Sequence, residues 1–195
     1  MDGAVEAYHA LLSDDELSAA SLEQLANGQH GRKLYFGEHP LSVSLRPRFI
    51  SARDWERATR AGNSIHRALS SLERALLSSA ELREELDLAP AEERLALADP
   101  GCESSSPSSR LDSFVADEIR YVEYNAESPA GMAYSDVLTE VMEQMDVMQR
   151  FRRSWSLRAL PGRGMQLDCM LRAFSQWGRS EKPRSPSLTG QGYRP

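Results

Sequence analysis

Lysine is nearly missing from this chain. Of its 23 basic residues only Lys33 and Lys182 are lysine, so chemistry that needs several lysines cannot be run here. No run of about 18 apolar residues occurs, which excludes a membrane-spanning helix. The start (Met1, Asp2, Gly3) lacks the basic and apolar regions of a secretory leader. An excess of positive charge is also missing: the net charge is −6, which argues against a general nucleic-acid binder, since that would need a basic face. Cysteine is scarce. Cys102 and Cys169 stand apart, with no Cys-x-x-Cys and no nearby histidine, so neither a disulfide framework nor a zinc site is indicated. This usage fits a reducing cytoplasm. His9, His30, His39 and His66 have no mutual ligand spacing.

What is present suits a folded domain, at 195 residues with 41% hydrophobic and 27% charged. Val5, Tyr8, Leu11 and Leu12 give one helical face. Leu17, Leu22 and Leu25 give a second, with Ser13 or Asp14 as N-cap and Asn27-Gly28 as stop. Leu41, Val43 and Leu45 alternate with Ser42 and Ser44 between Pro40 and Pro47, the spacing of a short edge strand. A long helix opens after Ser51, with Trp55, Ala58, Gly62, Ile65, Leu69, Leu72 and Leu76 in one stripe. The small residues Ala58 and Gly62 suit packing against a neighbouring element better than a symmetric zipper. Short helices follow near Ala80–Leu86 and Pro90–Ala98, then a turn at Asp99-Pro100-Gly101. Strands are predicted at Arg110–Val115 and Ile119–Asn125, and helices at Met132–Met145 and Leu167–Trp177. The fold class is therefore α+β: helix-rich, with a short antiparallel sheet that includes a hairpin at about 110–125. Three regions are expected. Residues 1–101 form a helical part with a strand segment at 41–50, residues 102–178 carry the hairpin and later helices, and 179–195 form a disordered tail.

The hairpin holds the one constellation with chemistry. Polar residues two apart share a strand face, so Arg110 and Asp112 lie together, as do Glu123 and Asn125. A two-residue loop at Asp117-Glu118 pairs Asp112 with Glu123 and Arg110 with Asn125. A three-residue loop without a bulge would break that parity. Two carboxylates opposite each other repel, and a divalent cation relieves the repulsion while taking oxygen ligands. The neighbouring guanidinium can clamp a phosphoryl oxygen. Spacing alone accommodates equally a solvent-facing polar side on which Arg110 offsets one carboxylate.

Arg110-x-Asp112 followed, eleven residues after that Asp, by Glu123-Tyr124-Asn125-Ala126-Glu127-Ser128 resembles the glutathionylspermidine synthase-like ligases, the circularly permuted ATP-grasp group. The likeness is sharpest from Arg110 to Gly131. It continues more loosely back through Leu45–Phe49 and the long helix, and forward to about Pro183. The resemblance implies Asp112, Glu123 and Asn125 as magnesium ligands, Arg110 as the catalytic clamp on the transferred phosphoryl group and Ser128 as a substrate contact. It also implies Mg2+ and ATP as cofactors, and a small carboxylate and an amine as substrates joined through an amide bond.

Two departures qualify this. The family grips its nucleotide largely through downstream lysines, whereas Lys182 is the only lysine here beyond the motif, and no Gly-rich phosphate loop occurs. Ser185–Gly190 stands where an apolar strand belongs. These departures predict a truncated or frame-shifted N-terminal portion of such a ligase, with an incomplete ATP-grasp architecture and an incomplete ATP site, inactive by itself. The alternative is a non-catalytic interaction module of the same ancestry. A fragment cut at about residue 184 would expose Met142, Met145, Phe174 and Trp177, and self-association is the expected result.

Overall fold

The computed structural model describes residues 2–103, 106–126, 130–178 and 183. In chain order these form helices α1 (Asp2–Leu12) and α2 (Asp15–Gly31), strands β1 (Tyr35–Phe36) and β2 (His39–Pro40), and helices α3 (Ala52–Ser78), α4 (Ala80–Glu84) and α5 (Pro90–Ala96). Strands β3 (Arg110–Val115) and β4 (Ile119–Asn125) follow, then helices α6 (Met132–Gln144), α7 (Asp146–Phe151) and α8 (Gly162–Gln176). Strands β1 and β2 make one antiparallel pair, β3 and β4 a second. The α+β class follows. The tail expected at 179–195 lies, except for Pro183, outside the described residues.

The chain parts into two compact units, which do not coincide with boundaries at 101/102 and 178/179. The first contains Met1–Ser51 and Ala130–Leu167; the second contains Ala52–Pro129 and Asp168–Pro183.

In the first unit α2 buries one residue per turn, Leu17, Ser21, Leu25 and Gln29, at the four-residue spacing of a helical stripe. Asp14 caps it, its carboxylate accepting from Leu17 N–H at 3.0 Å. The helix does not stop at Asn27-Gly28. It runs to Gly31, because Gly28 lies against α6, where a Cβ would sit 2.5 Å from Val141 Cγ1. This glycine permits a close helix approach rather than a turn. Gly28→Ala is expected to destabilise the unit by about 1–2 kcal/mol, overpacking outweighing the helix propensity gained. Urea denaturation checks this, and adding Val141→Ala should recover most of the loss.

The core joins Tyr8, Leu17, Leu25 and Leu34 to Val141, Met142, Met145, Val147, Met148 and Phe151. The α6 face expected to be exposed is thus buried, with Met142 at 6% and Met145 at 0% exposure. The reason is α2, whose stripe covers it and whose polar side chains satisfy the start of α7. Gln24 Oε1 accepts from Asp146 N–H at 2.8 Å, and Ser21 Oγ from Val147 N–H at 3.3 Å. The strand expected within 41–50 is also not formed. Ser42 and Ser44 hydroxyls accept from the N–H groups of Ser44 and Arg46, local bonds that replace a ladder. Gln29 holds the segment instead, its amide donating to Ser42 O and accepting from Ser42 N–H, both at 2.9 Å.

Tyr8 lies beneath Phe49 and Phe151, and its hydroxyl donates to Leu45 O at 3.0 Å. Burial pushes its phenol up to about 12. A raised phenol pKa stabilises the fold below the unfolded value of about 10 and loses that stabilisation as pH rises through the folded value. Absorbance titration should therefore show a late-ionising tyrosine, and Tyr8→Phe should remove that step.

Helix α8 begins five residues before the expected Leu167. Asp136 on α6 caps it from outside, accepting from Gly162 N–H at 2.9 Å and Arg163 N–H at 2.8 Å. Burial raises the Asp136 pKa, but these two bonds and the Arg163 guanidinium outweigh that and hold it below the usual carboxylate value.

The second unit is built on α3. Its stripe packs intramolecularly, as the small residues predict: Leu111 Cδ1 of β3 comes within 3.6 Å of where a Cβ on Gly62 would stand. Tyr121 of β4 donates from its hydroxyl to Ala58 O at 3.3 Å. Ser79 caps α4, and Pro90 opens α5 as expected. Arg83, 13% exposed, closes the end of α3 by donating to Leu76 O at 2.8 Å while pairing with Glu93 at 3.1 Å. Trp177 is half exposed, with Phe174 edge-on to it. None of the described residues of this unit is fully buried.

Candidate functional site

The β3–β4 ladder carries the predicted register. Arg110 pairs with Asn125, Leu111 with Tyr124 and Asp112 with Glu123. The loop differs from expectation: three residues, Ala116–Glu118, join the strands, and Ser113 pairs with Tyr121. Val122 is therefore a bulge, and it restores the parity that a three-residue loop alone would break. Its effect can be read on β4. Tyr121 reaches helix α3, yet Glu123, two residues later, stands opposite Asp112 on the other side of the hairpin. In a regular strand both would share a face.

On that polar face Arg110 Nε donates to Asp112 Oδ1 at 2.7 Å and Nη2 to Oδ2 at 3.2 Å, a bidentate pair. With its amide nitrogen turned toward Glu123, Asn125 donates to Glu123 Oε1 at 2.9 Å and accepts from Arg110 Nη2 at 3.2 Å. The four predicted side chains thus form one connected network, with Asn125 bridging the arginine and the second carboxylate. The Arg110 and Asp112 side chains are 43% and 38% exposed, so solutes reach them. The Arg110 pKa is raised, first by its hydrogen bond to Asp112, then by the Asp112 charge and more weakly by Glu123. Ser128, the predicted substrate contact, lies outside the described residues.

The donor set suits a hard cation: two carboxylates and an amide oxygen, all oxygen ligands, with open faces for water or phosphate. It is small. Among the described residues no group of three or more His, Cys, Asp or Glu gathers, so a cation here would need Asn125 as its third ligand. A cavity of about 520 Å³ lies elsewhere in the second unit, among Leu69, Leu72, Leu76, Leu86, Leu95 and Cys102. The leucine stripe of α3 was its sequence signal, legible as packing but not as a concavity. The bridging role of Asn125 was likewise not evident, because it depends on a cross-strand partner.

No family model, no curated protein and no solved structure matches this chain.

Proposed function

We propose that the chain supplies the magnesium and acyl-phosphate contacts of an ATP-dependent carboxylate–amine ligase of the ATP-grasp kind. The reading rests on one observation, the cross-strand opposition of Asp112 and Glu123 with Arg110 bonded beside them. In such a reaction a carboxylate accepts a phosphoryl group, and an amine then displaces phosphate to form an amide. Asp112, Glu123 and Asn125 would hold Mg2+, which supplies charge neutralisation on the phosphates. Arg110 would take the phosphoryl oxygens in its planar fork, and Ser128 would touch the peptide-like acceptor substrate. The proposed setting is a reducing cytoplasm, on the usage of two isolated cysteines that are both free. Among the described residues no helix is long and apolar enough to cross a membrane.

Because the hairpin provides no nucleotide grip, Mg-ATP should bind this chain only in the millimolar range and should not be turned over. Asp112→Asn or Glu123→Gln should abolish even that binding. Isothermal titration decides: low-micromolar affinity would show a complete nucleotide site, and binding unaffected by either substitution would remove the metal reading.

The second unit also favours an interaction role. Leu95 and Phe114 are 76% and 70% exposed, apolar side chains that a partner could cover. On this reading the molecule self-associates, and light scattering over a concentration series should show a rising mass.

A further inference from the structure

We infer that the leucine-lined cavity of the second unit receives one face of a basic amphipathic helix from another protein. Its apolar side chains would seat among the leucines, and its arginines or lysines against the surrounding carboxylates. The inference goes beyond the ligase reading and does not depend on it. Every residue lining the cavity of about 520 Å³ comes from the stretch 69–103, which runs from the second half of α3 through α4 and α5 to Glu103. Leu72, Leu77, Leu86 and Leu95 belong to its wall yet are all exposed, from 47% at Leu77 to 76% at Leu95, so the cavity stands open. Leu82 and Leu97, each next in sequence to a lining residue, are exposed as well without lining it. A small molecule held in the cavity would leave those two leucines in water. A helix covers more: side chains at i, i+3 or i+4 and i+7 anchor in the concavity while its flanks reach the leucines beside it.

The charge of the same stretch selects the partner. It holds nine of the chain's 29 acidic residues and three of its 23 basic ones. The rest of the chain has 20 of each, so the whole net charge of −6 sits in the segment that builds the cavity. Glu73 and Glu103 are in the lining itself. Of the three arginines, Arg83 is spent internally, on Glu93 and on the carbonyls of Leu76 and Leu77. Such a field draws a cationic partner in and repels an anionic one. An anionic membrane surface is disfavoured on that ground. So is a second copy presenting the same face, which would oppose like charges. Self-association of the molecule would then use another surface, such as Phe114 of the hairpin, which does not line the cavity.

The test uses the full chain and two fluorescein-labelled 18-residue helical peptides with the same leucine and tryptophan face. One carries arginine on its polar face, the other glutamate. By anisotropy the arginine peptide should bind at least about 20-fold tighter than the glutamate peptide, and lose at least about fivefold between 50 and 500 mM salt. Leu95→Gln, at an exposed helical position where glutamine keeps the helix, should weaken it by roughly tenfold. Phe114→Gln, an exposed apolar side chain away from the cavity, should stay within about twofold. Cys102 lines the cavity and Cys169 does not, and neither is in a disulfide. The arginine peptide should therefore slow alkylation of Cys102 by iodoacetamide while Cys169 reacts as before.

Equal binding of both peptides, or none, would overturn the inference. So would arginine-peptide binding that ignores Leu95→Gln or leaves Cys102 unprotected, since that is charge attraction without the cavity. Cys102 protection that rises with the chain's own concentration in the absence of peptide would make a second copy the occupant. Equal protection by phosphatidylcholine vesicles would make it a lipid surface, and either result would overturn the helix assignment.

Discussion

Phe151→Ala is expected to destabilise the first unit by about 3–5 kcal/mol, the range for emptying a large aromatic from a packed core. Phe151 ends α7, is 1% exposed, and is enclosed by aromatic rings on three sides. Its centroid lies 5.2 Å from Phe49 and 5.6 Å from Trp155, both stacked, and 5.1 Å from the edge-on ring of Tyr8. These rings come from α1, from the segment before α3 and from the turn after α7. Alanine therefore loosens three separate stretches of chain at once. Partial collapse is hindered because Tyr8 is held by its bond to Leu45 O. Urea denaturation followed by circular dichroism should show the midpoint fall, and Phe151→Leu should recover more than half of the loss. A change below about 1 kcal/mol would mean that this aromatic column does not organise the unit.

Gln29→Leu should destabilise the same unit by about 2 kcal/mol even though side-chain volume hardly changes. Gln29 is buried on α2, and both ends of its amide are spent on the backbone of Ser42. Leucine would leave an N–H and a C=O facing an apolar group, and unmade bonds of that kind outweigh the gain in hydrophobicity. The loss should be local as well as global. The Ser42 amide should exchange with solvent far faster in the variant, and a midpoint unchanged from the parent would show that water replaces the glutamine without loss.

The hairpin face was legible in the sequence because it is written in short-range alternation. Arg110, Asp112, Glu123 and Asn125 alternate with Leu111 and Tyr124, and strand periodicity needs no distant information. The loop was not legible, since a two-residue turn and a three-residue turn with a bulge at Val122 deliver the same four side chains. Helix limits failed where a remote residue decides them. Gly28 reads as a stop until Val141 is seen against it, and α8 gains its first turn from a carboxylate on α6. The strand expected at Leu41–Leu45 failed for another reason. Its alternating serines bond their own backbone, a choice that hydrophobic patterning does not register.

The bulge bears on how such a site can drift over generations. Val122 has no partner residue on β3, so its deletion would leave Ser113 opposite Tyr121 and Asp112 opposite Glu123 in an unbroken ladder. A codon can be lost there without moving any of the four polar side chains, whereas losing one between Glu123 and Asn125 would exchange the polar and helix-facing sides of the strand. The interval of eleven residues from Asp112 to Glu123 is thus not itself the constraint. Ten would serve the same geometry, and descendants of this hairpin are free to differ by that one residue while keeping every polar side chain in place.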